Sequence, residues 1–313
     1  MGKRIPLLID CDPGHDDAIM LMLAFGSRQF DIKAVTTCAG NQTQDKTLLN
    51  TLRVLTLIGE QVPVYRGFEK PLFRELIIGD YVHGKSGIDG TELPPPGFSA
   101  TAGSAINAIA AVLTNSEEPI TIVATGPLTN IAAFLLSSPH LKSKIKQIVL
   151  MGGGITRGNY TPLAEFNMYI DPEAASIVFN AGVPLVMCGL DVTHKALFFQ
   201  EDIDRFRNMG NNTGRTVAEL VQFFSVFYRN NRPELGGGAA LHDPCTIAWL
   251  LDPKIFKSKL CHVDVETKGN LTSGATVVHF YNLLKKQPNT EVIYDVDRQA
   301  FTDLLYNTIK TMP

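Results

Sequence analysis

Leu7-Leu8-Ile9-Asp10-Cys11-Asp12-Pro13-Gly14-His15-Asp16-Asp17 opens on an apolar run and closes with four carboxylates in eight residues. The run from Ile5 to Ile9 has the length and branched side chains of a buried strand, and a helical pattern from Asp17 to Phe25 follows it. A strand that hands over to a helix within a few residues begins a βαβ unit, which points to an α/β fold. Four like charges this close repel one another unless a cation or a hydrogen-bonding ligand sits among them. Helix capping is the competing account, because Asp before Pro is a common N-cap and acidic residues suit a helix N-terminus. Most of the chain's four Asp-Pro pairs, at Asp12, Asp171, Asp243 and Asp252, read as caps of this kind. Capping needs only one Asp per helix, however, so the first cluster is read as a site for a metal or a polyol.

Outward from this stretch the same rhythm repeats. Candidate strands are Ile5 to Ile9, Ile32 to Thr37, Val62 to Tyr65, Ile120 to Ala124, Gln147 to Met151 and Leu185 to Gly189. Helical patterns lie between them at Asp17 to Phe25, Gln44 to Leu57, Ala105 to Leu113, Leu128 to Leu136 and Pro172 to Ala181. The pattern predicts a mostly parallel sheet flanked by helices, with a Rossmann-like core, in one domain spanning residues 1–313. Leu93 to Gly103 reads as a surface loop. Past Asp191 the pattern becomes more helical, with a flexible break at Gly236-Gly237-Gly238, then strands near His262 to Glu266 and Glu291 to Asp295. In such sheets ligands bind beyond the carboxyl ends of the strands. Asp10 and Asp12, Asn41, Thr125-Gly126, Gly152-Gly153-Gly154 and Asp191 would therefore converge on one rim.

Composition narrows the function. A formal charge of −3 with no basic stretch argues against phosphate-driven nucleic-acid binding. No apolar run reaches the ~18 residues of a membrane span. The basic start at Lys3-Arg4 is followed by an apolar run that breaks at Asp10, too short for a secretory signal. Five cysteines without close pairs form neither a zinc knuckle nor a disulfide framework, which suits a reducing cytoplasm. Carboxylates beside Cys11 would raise its thiol pKa and disfavour a nucleophilic role.

Carboxylates without paired His or Cys suit Mg²⁺ or Ca²⁺ better than zinc, and His15 is expected to point elsewhere. Asn159, Glu165 and Asn167 could address adjacent hydroxyls of a sugar; if Glu165 to Asn167 is extended, Glu165 and Asn167 share a face. A polar loop is the alternative there. His242, beside Asp243, is either an acid–base group or the neighbour of a cap, and His83 either touches a ligand or occupies a turn.

Together these pieces resemble the nucleoside hydrolases of the inosine–uridine-preferring family. The likeness rests on residues 10–17, Gly40-Asn41-Gln42-Thr43, residues 125–130, Val149 to Gly154, Ala164-Glu165-Phe166-Asn167, residues 171–175 and His242-Asp243-Pro244, in the family order. The stretch 242–251 and Asp295 to Gln299 look most like the bacterial pyrimidine-preferring ribonucleoside hydrolases.

The resemblance implies hydrolysis of the N-glycosidic bond of ribonucleosides around a bound Ca²⁺. Its ligands would be Asp12, Asp17, Asp243 and the Thr125 carbonyl, with a water and two ribose hydroxyls completing the roughly six to eight oxygens calcium accepts. Ribose would be held by Asp16, Asn41, Asn159, Glu165, Asn167 and Asp243. Asp12 would act as base, and Asp10 would support the shell by hydrogen bonds. His242 would be the acid for purine bases, His83 would lie near the base, and residues 227–234 would form part of the base pocket, with Tyr228 closing over it. Relatives are commonly tetramers or dimers. Two other readings stay open. In a haloacid-dehalogenase-type phosphatase the first Asp would be the nucleophile, but Pro13 stands where that family continues with Gly-Thr, and Asp16-Asp17 go unexplained. A non-catalytic nucleoside-binding protein would bind ribose without turnover.

Overall fold

The computed structural model describes residues 3–313. Its central sheet contains β1 (Ile5–Cys11), β2 (Phe30–Thr37), β3 (Val64–Arg66), β4 (Ile120–Ala124), β5 (Ile145–Met151), β6 (Leu185–Cys188), β7 (Phe256–Cys261) and β8 (Thr290–Val296). The eight strands lie in the order β3-β2-β1-β4-β5-β6-β8-β7. Every ladder is parallel except that between β8 and β7.

Side chains alternate across the strands and feed two cores. Leu7, Ile9 and Cys11 face one side with the helices His15–Gly26, Gln44–Leu57, Asn212–Asn231, Pro244–Leu251 and Arg298–Ile309. Leu8 faces the other with Ala105–Asn115, Thr129–Ser137 and Pro172–Phe179. A sheet covered on both faces needs strands apolar on both, which is why β4 is buried throughout. The helix His15–Gly26 is likewise buried at every residue.

The chain leaves β1 by a helix on the first face and enters β4 by a helix on the second. The strand order therefore reverses between β1 and β4, and a crevice opens at their carboxyl ends. Their ends are held together by the Thr125 N–H, which donates to the Asp10 carbonyl at 2.9 Å.

The strand Ile120–Ala124 and the helix Gln44–Leu57 fall where the sequence places them. β1 runs on through Cys11, which makes Asp10 a strand residue on the second face. Leu93 to Gly103 holds neither helix nor strand. The strand expected near His262 to Glu266 is present as Val263–Val265, and it pairs with Thr276–Val278 outside the main sheet. The antiparallel edge strand β7 was not anticipated, because its Lys257, Ser258 and Lys259 carry no apolar signal. At the glycine triplet, Gly236 and Gly237 take φ of +63° and +83°, a turn conformation that side chains disfavour.

Candidate active site

The floor of the crevice is built where β1 and β4 end. Asp10 points to the second face, where its Oδ1 accepts from Thr36 Oγ1 at 2.5 Å and Asn130 Nδ2 at 2.7 Å. Asp12, just past the strand, accepts the Asn41 N–H on Oδ2 at 2.7 Å, while its buried Oδ1 has no partner among the described residues. Gly40 and Gly126 back directly onto this carboxylate, and a methyl group on either would collide with it. Asp17 sits in the first helical turn. It accepts from Gly14 N (3.1 Å) and Asn41 Nδ2 (3.0 Å) on one oxygen and from Thr125 Oγ1 (2.7 Å) on the other.

The four Asp-Pro pairs divide evenly. Asp171 caps its helix by accepting from Ala174 N at 3.0 Å, and Asp252 accepts from Lys254 N at 3.1 Å. Asp243 stands at a helix start but makes no capping bond, and Asp12 lies before a helix that begins only at His15. These two carboxylates are left for the site. Asp16, Asp17 and Asp243 each bring an oxygen to within 4.8 Å of the others.

Burial is the main force on these acids. It pushes Asp10 and Asp16 up to about 7, the latter with help from Asp17. Asp12 and Asp243 rise well above the usual carboxylate range, through burial and then through the neighbouring acids. A cation among them would remove that penalty. An all-oxygen donor set with an unpartnered buried Asp12 oxygen fits a hard divalent ion.

Above the floor, Glu165 caps the short helix Phe166–Ile170 and accepts from Asn167 N at 3.0 Å and Met168 N at 3.2 Å. The condition under which Glu165 and Asn167 would share a strand face is therefore not met. The Glu165 carboxylate takes up the first free N–H groups and starts a helix instead. Burial pushes Glu165 itself up to about 7. The side chains still converge: Asn167 Nδ2 donates to the Thr125 carbonyl at 2.7 Å, and Asn159 Oδ1 accepts from Phe166 N at 2.9 Å. Asp16, Asn41, Thr125, Asn159, Glu165, Asn167 and Asp243 line one pocket. Asp12 and Asp17 lie beneath that lining, in contact with Asn41 and Thr125.

The pocket wall comes from helices. Phe224, Phe227 and Tyr228 share one face of Asn212–Asn231, since residues three and four apart are neighbours on a helix. His83 and Tyr81 come from the short helix Asp80–His83. His242 closes this side: its Nε2 shares a 2.6 Å hydrogen bond with the Tyr228 hydroxyl, and its Nδ1 shares one of 2.7 Å with Thr193 Oγ1. His15 points away from the floor as expected, with Nε2 on the Asp89 carbonyl at 2.8 Å and its ring stacked on Phe223. Its Nδ1 lies 3.1 Å from His83 Nδ1. Sequence reading missed Tyr81, Phe166, Thr193 and Phe224. Only Phe224 left a signal, the i, i+3, i+4 aromatic spacing with Phe227 and Tyr228.

Comparisons with known proteins agree with this geometry. Residues 7–303 match the family described as inosine-uridine preferring nucleoside hydrolase. The pyrimidine-specific ribonucleoside hydrolase RihA of Salmonella schwarzengrund is 54% identical over 307 residues, covering 98% of each chain. RihA of Photobacterium profundum is 55% identical over 302 residues, covering 96% of this chain and 97% of its own. Among solved structures, the purine-preferring ribonucleoside hydrolase from Gardnerella vaginalis superposes with a TM-score of 0.91 at 31% identity, over 97% of this chain and 98% of its own. The plant nucleoside hydrolase PpNRh1 superposes with a TM-score of 0.91 at 30% identity, over 98% and 99%.

Proposed function

The chain belongs to the inosine-uridine preferring nucleoside hydrolases and is a ribonucleoside N-glycosidase, and from that premise we propose that uridine and cytidine are its substrates and calcium its metal. The observation that carries the reading is the convergence of Asp16, Asp17 and Asp243 at the base of a pocket lined by Asn41, Asn159, Glu165 and Asn167, with Asp12 joined to it through Asn41 and Asp17. The pyrimidine preference is supported by the relatives that are 54–55% identical, whose names specify it. Membership of this family displaces the phosphatase alternative.

In this proposal Asp12, Asp17, Asp243 and the Thr125 carbonyl hold the ion. Calcium, when bound, supplies a fixed positive charge that orients a water and vicinal hydroxyls and makes the water somewhat more acidic. Asp16, Asn41, Asn159, Glu165 and Asn167 bind the ribose hydroxyls. As the C1′–N bond lengthens, positive charge grows on the sugar ring, and the surrounding carboxylates and amide oxygens stabilise it. Asp12 accepts the proton of the attacking water. His242 reaches the base through the Tyr228 hydroxyl, a route that matters more for purines, while His83 stands beside Asn41. We further take residues 1–313 to act as one domain, in a homotetramer or homodimer, on small substrates in the cytoplasm. Among the described residues no helix is long and apolar enough to cross a membrane.

The test is release of ribose from uridine, cytidine, inosine and adenosine, before and after calcium is stripped. Calcium-dependent release from uridine and cytidine is the expected result. Comparable cleavage of inosine would move the enzyme to the broader specificity, and no release from any of them would overturn the reaction.

A further inference from the structure

A pyrimidine leaves its sugar as an anion at N1, and a pocket that cleaves it must accept that charge. The wall described above has limited means of doing so by protonation. Both ring nitrogens of His242 are already engaged, by Tyr228 and by Thr193. His83 is held through Nδ1 against His15 and stands beside Gly14 and Asn41.

One lining side chain carries a permanent positive charge: Arg232. It is the residue at which the long helix stops, because Pro233 follows and disfavours a helical conformation in the residue before it. Its N–H donates to the Tyr228 carbonyl at 2.8 Å, so it sits one turn beyond the tyrosine that contacts His242. Its Nε donates to Glu234 Oε1 at 2.7 Å, which anchors the guanidinium by one edge. Among the described residues, its two Nη groups make no hydrogen bond. The side chain is only 15% exposed, whereas that of Glu234 is 44% exposed, so the partner's charge is better screened by water than the arginine's.

We propose that Arg232 is the electrostatic acceptor for the departing pyrimidine, its free Nη edge meeting O2 as negative charge develops there. The proposal rests on the pyrimidine reading above and adds the group that makes the base leave. The C1′–N1 bond breaks with its electron pair going to N1 and spreading to O2. The water oxygen bonds to C1′, and its proton passes to Asp12. The base anion then takes a proton from solvent water as it departs. A fixed cation stabilises this transition state without any proton transfer to the base, so the effect should scale with how poor the leaving group is.

The experiment compares wild type, R232Q and R232K, all calcium-loaded, on uridine, 5-fluorouridine and p-nitrophenyl β-D-ribofuranoside, whose phenolate leaves unaided. R232Q should lose about 10²-fold in kcat on uridine, the size expected for removing one donor from a developing anion. Its loss should be smaller on 5-fluorouridine and within about threefold on the phenyl riboside. R232K, which keeps the charge, should recover part of the uridine rate. Equal losses on uridine and the phenyl riboside would overturn the proposal, since they would mean a structural role; so would unchanged uridine turnover in R232Q. A wild type that cleaves the phenyl riboside but neither uridine nor cytidine would instead overturn the pyrimidine reading, and this proposal with it.

Discussion

The floor of the pocket hangs on strand ends, whereas its wall hangs on helices, and the two differ in the side chains they present: carboxylates and amides below, aromatic rings and histidines above. Asp12 and Thr125 follow β1 and β4 directly, are buried, and are tied to neighbours by short hydrogen bonds. On the wall Phe224 and Tyr228 are just as buried while Tyr81 is 53% exposed, and contacts between aromatic rings join the hydrogen bonds of His242. Sheet ends fix the floor to the central sheet, which suits the constant geometry that the proposed sugar and ion sites require. Helix faces can exchange side chains without disturbing the sheet, which suits the part that meets a variable base. The purine-preferring hydrolase from Gardnerella vaginalis shares this fold at a TM-score of 0.91 with only 31% identity, as that division allows.

The contrast can be broken most decisively at Asp12. Asp12→Ala removes the proposed base and a metal ligand, and should lower turnover by at least ~10³-fold on every substrate, the phenyl riboside included. Wild-type-like activity on any of them would mean that the floor is not where the chemistry occurs. Removing the ion comes next. Chelation should abolish most ribose release, and returning Ca²⁺ at ~100 times its Kd should raise unfolding stability by about 2.7 kcal/mol. A melting curve indifferent to Ca²⁺ would count against a resident ion.

The wall should respond unequally. His242→Ala should cost inosine cleavage roughly 10²-fold and uridine cleavage clearly less; equal losses would make the histidine part of the floor's machinery. The smallest effect belongs outside both regions. Asp252→Ala should cost about 1 kcal/mol of stability, as a lost cap does, with kcat and KM unchanged. Denaturant melts and uridine kinetics on the same preparation would separate the two Asp-Pro roles.

That separation also marks what could be read in the chain. Asp10 to Asp17 disclosed both the first βα unit and the acid cluster, because like charges at that density have few structural uses. The density of acids set Asp12 apart from a cap and the resemblance set Asp243 apart, but the Asp-Pro dipeptide alone does not tell which pairs cap. As dipeptides Asp171-Pro172 and Asp12-Pro13 look alike, and the position of the helix start relative to each proline tells them apart. The geometry from Glu165 to Asn167 stayed open for a related reason, since a carboxylate that satisfies the next N–H groups turns a possible strand into a helix start. Thr193 left no signal, because its role depends on a hydrogen bond to a residue 49 positions away. The wall was legible only as a segment, because aromatic side chains on a helix read equally well as core.

The antiparallel strand β7 has a consequence unrelated to catalysis. A sheet of eight strands has two edges, and an edge left open is a template on which a stray extended segment could add and begin aggregation. One edge, β3, is only three residues long and is already covered, since the Thr101 N–H donates to the Val64 carbonyl at 2.8 Å and Ser104 bridges to Arg66. The other, β7, carries Lys257 and Lys259 along its exposed row, the first paired with Asp295 and the second lying 4.3 Å over the Phe280 ring. Shortness and cover guard one margin and charge the other, so a newly made chain can complete its sheet while leaving little for a neighbouring chain to extend.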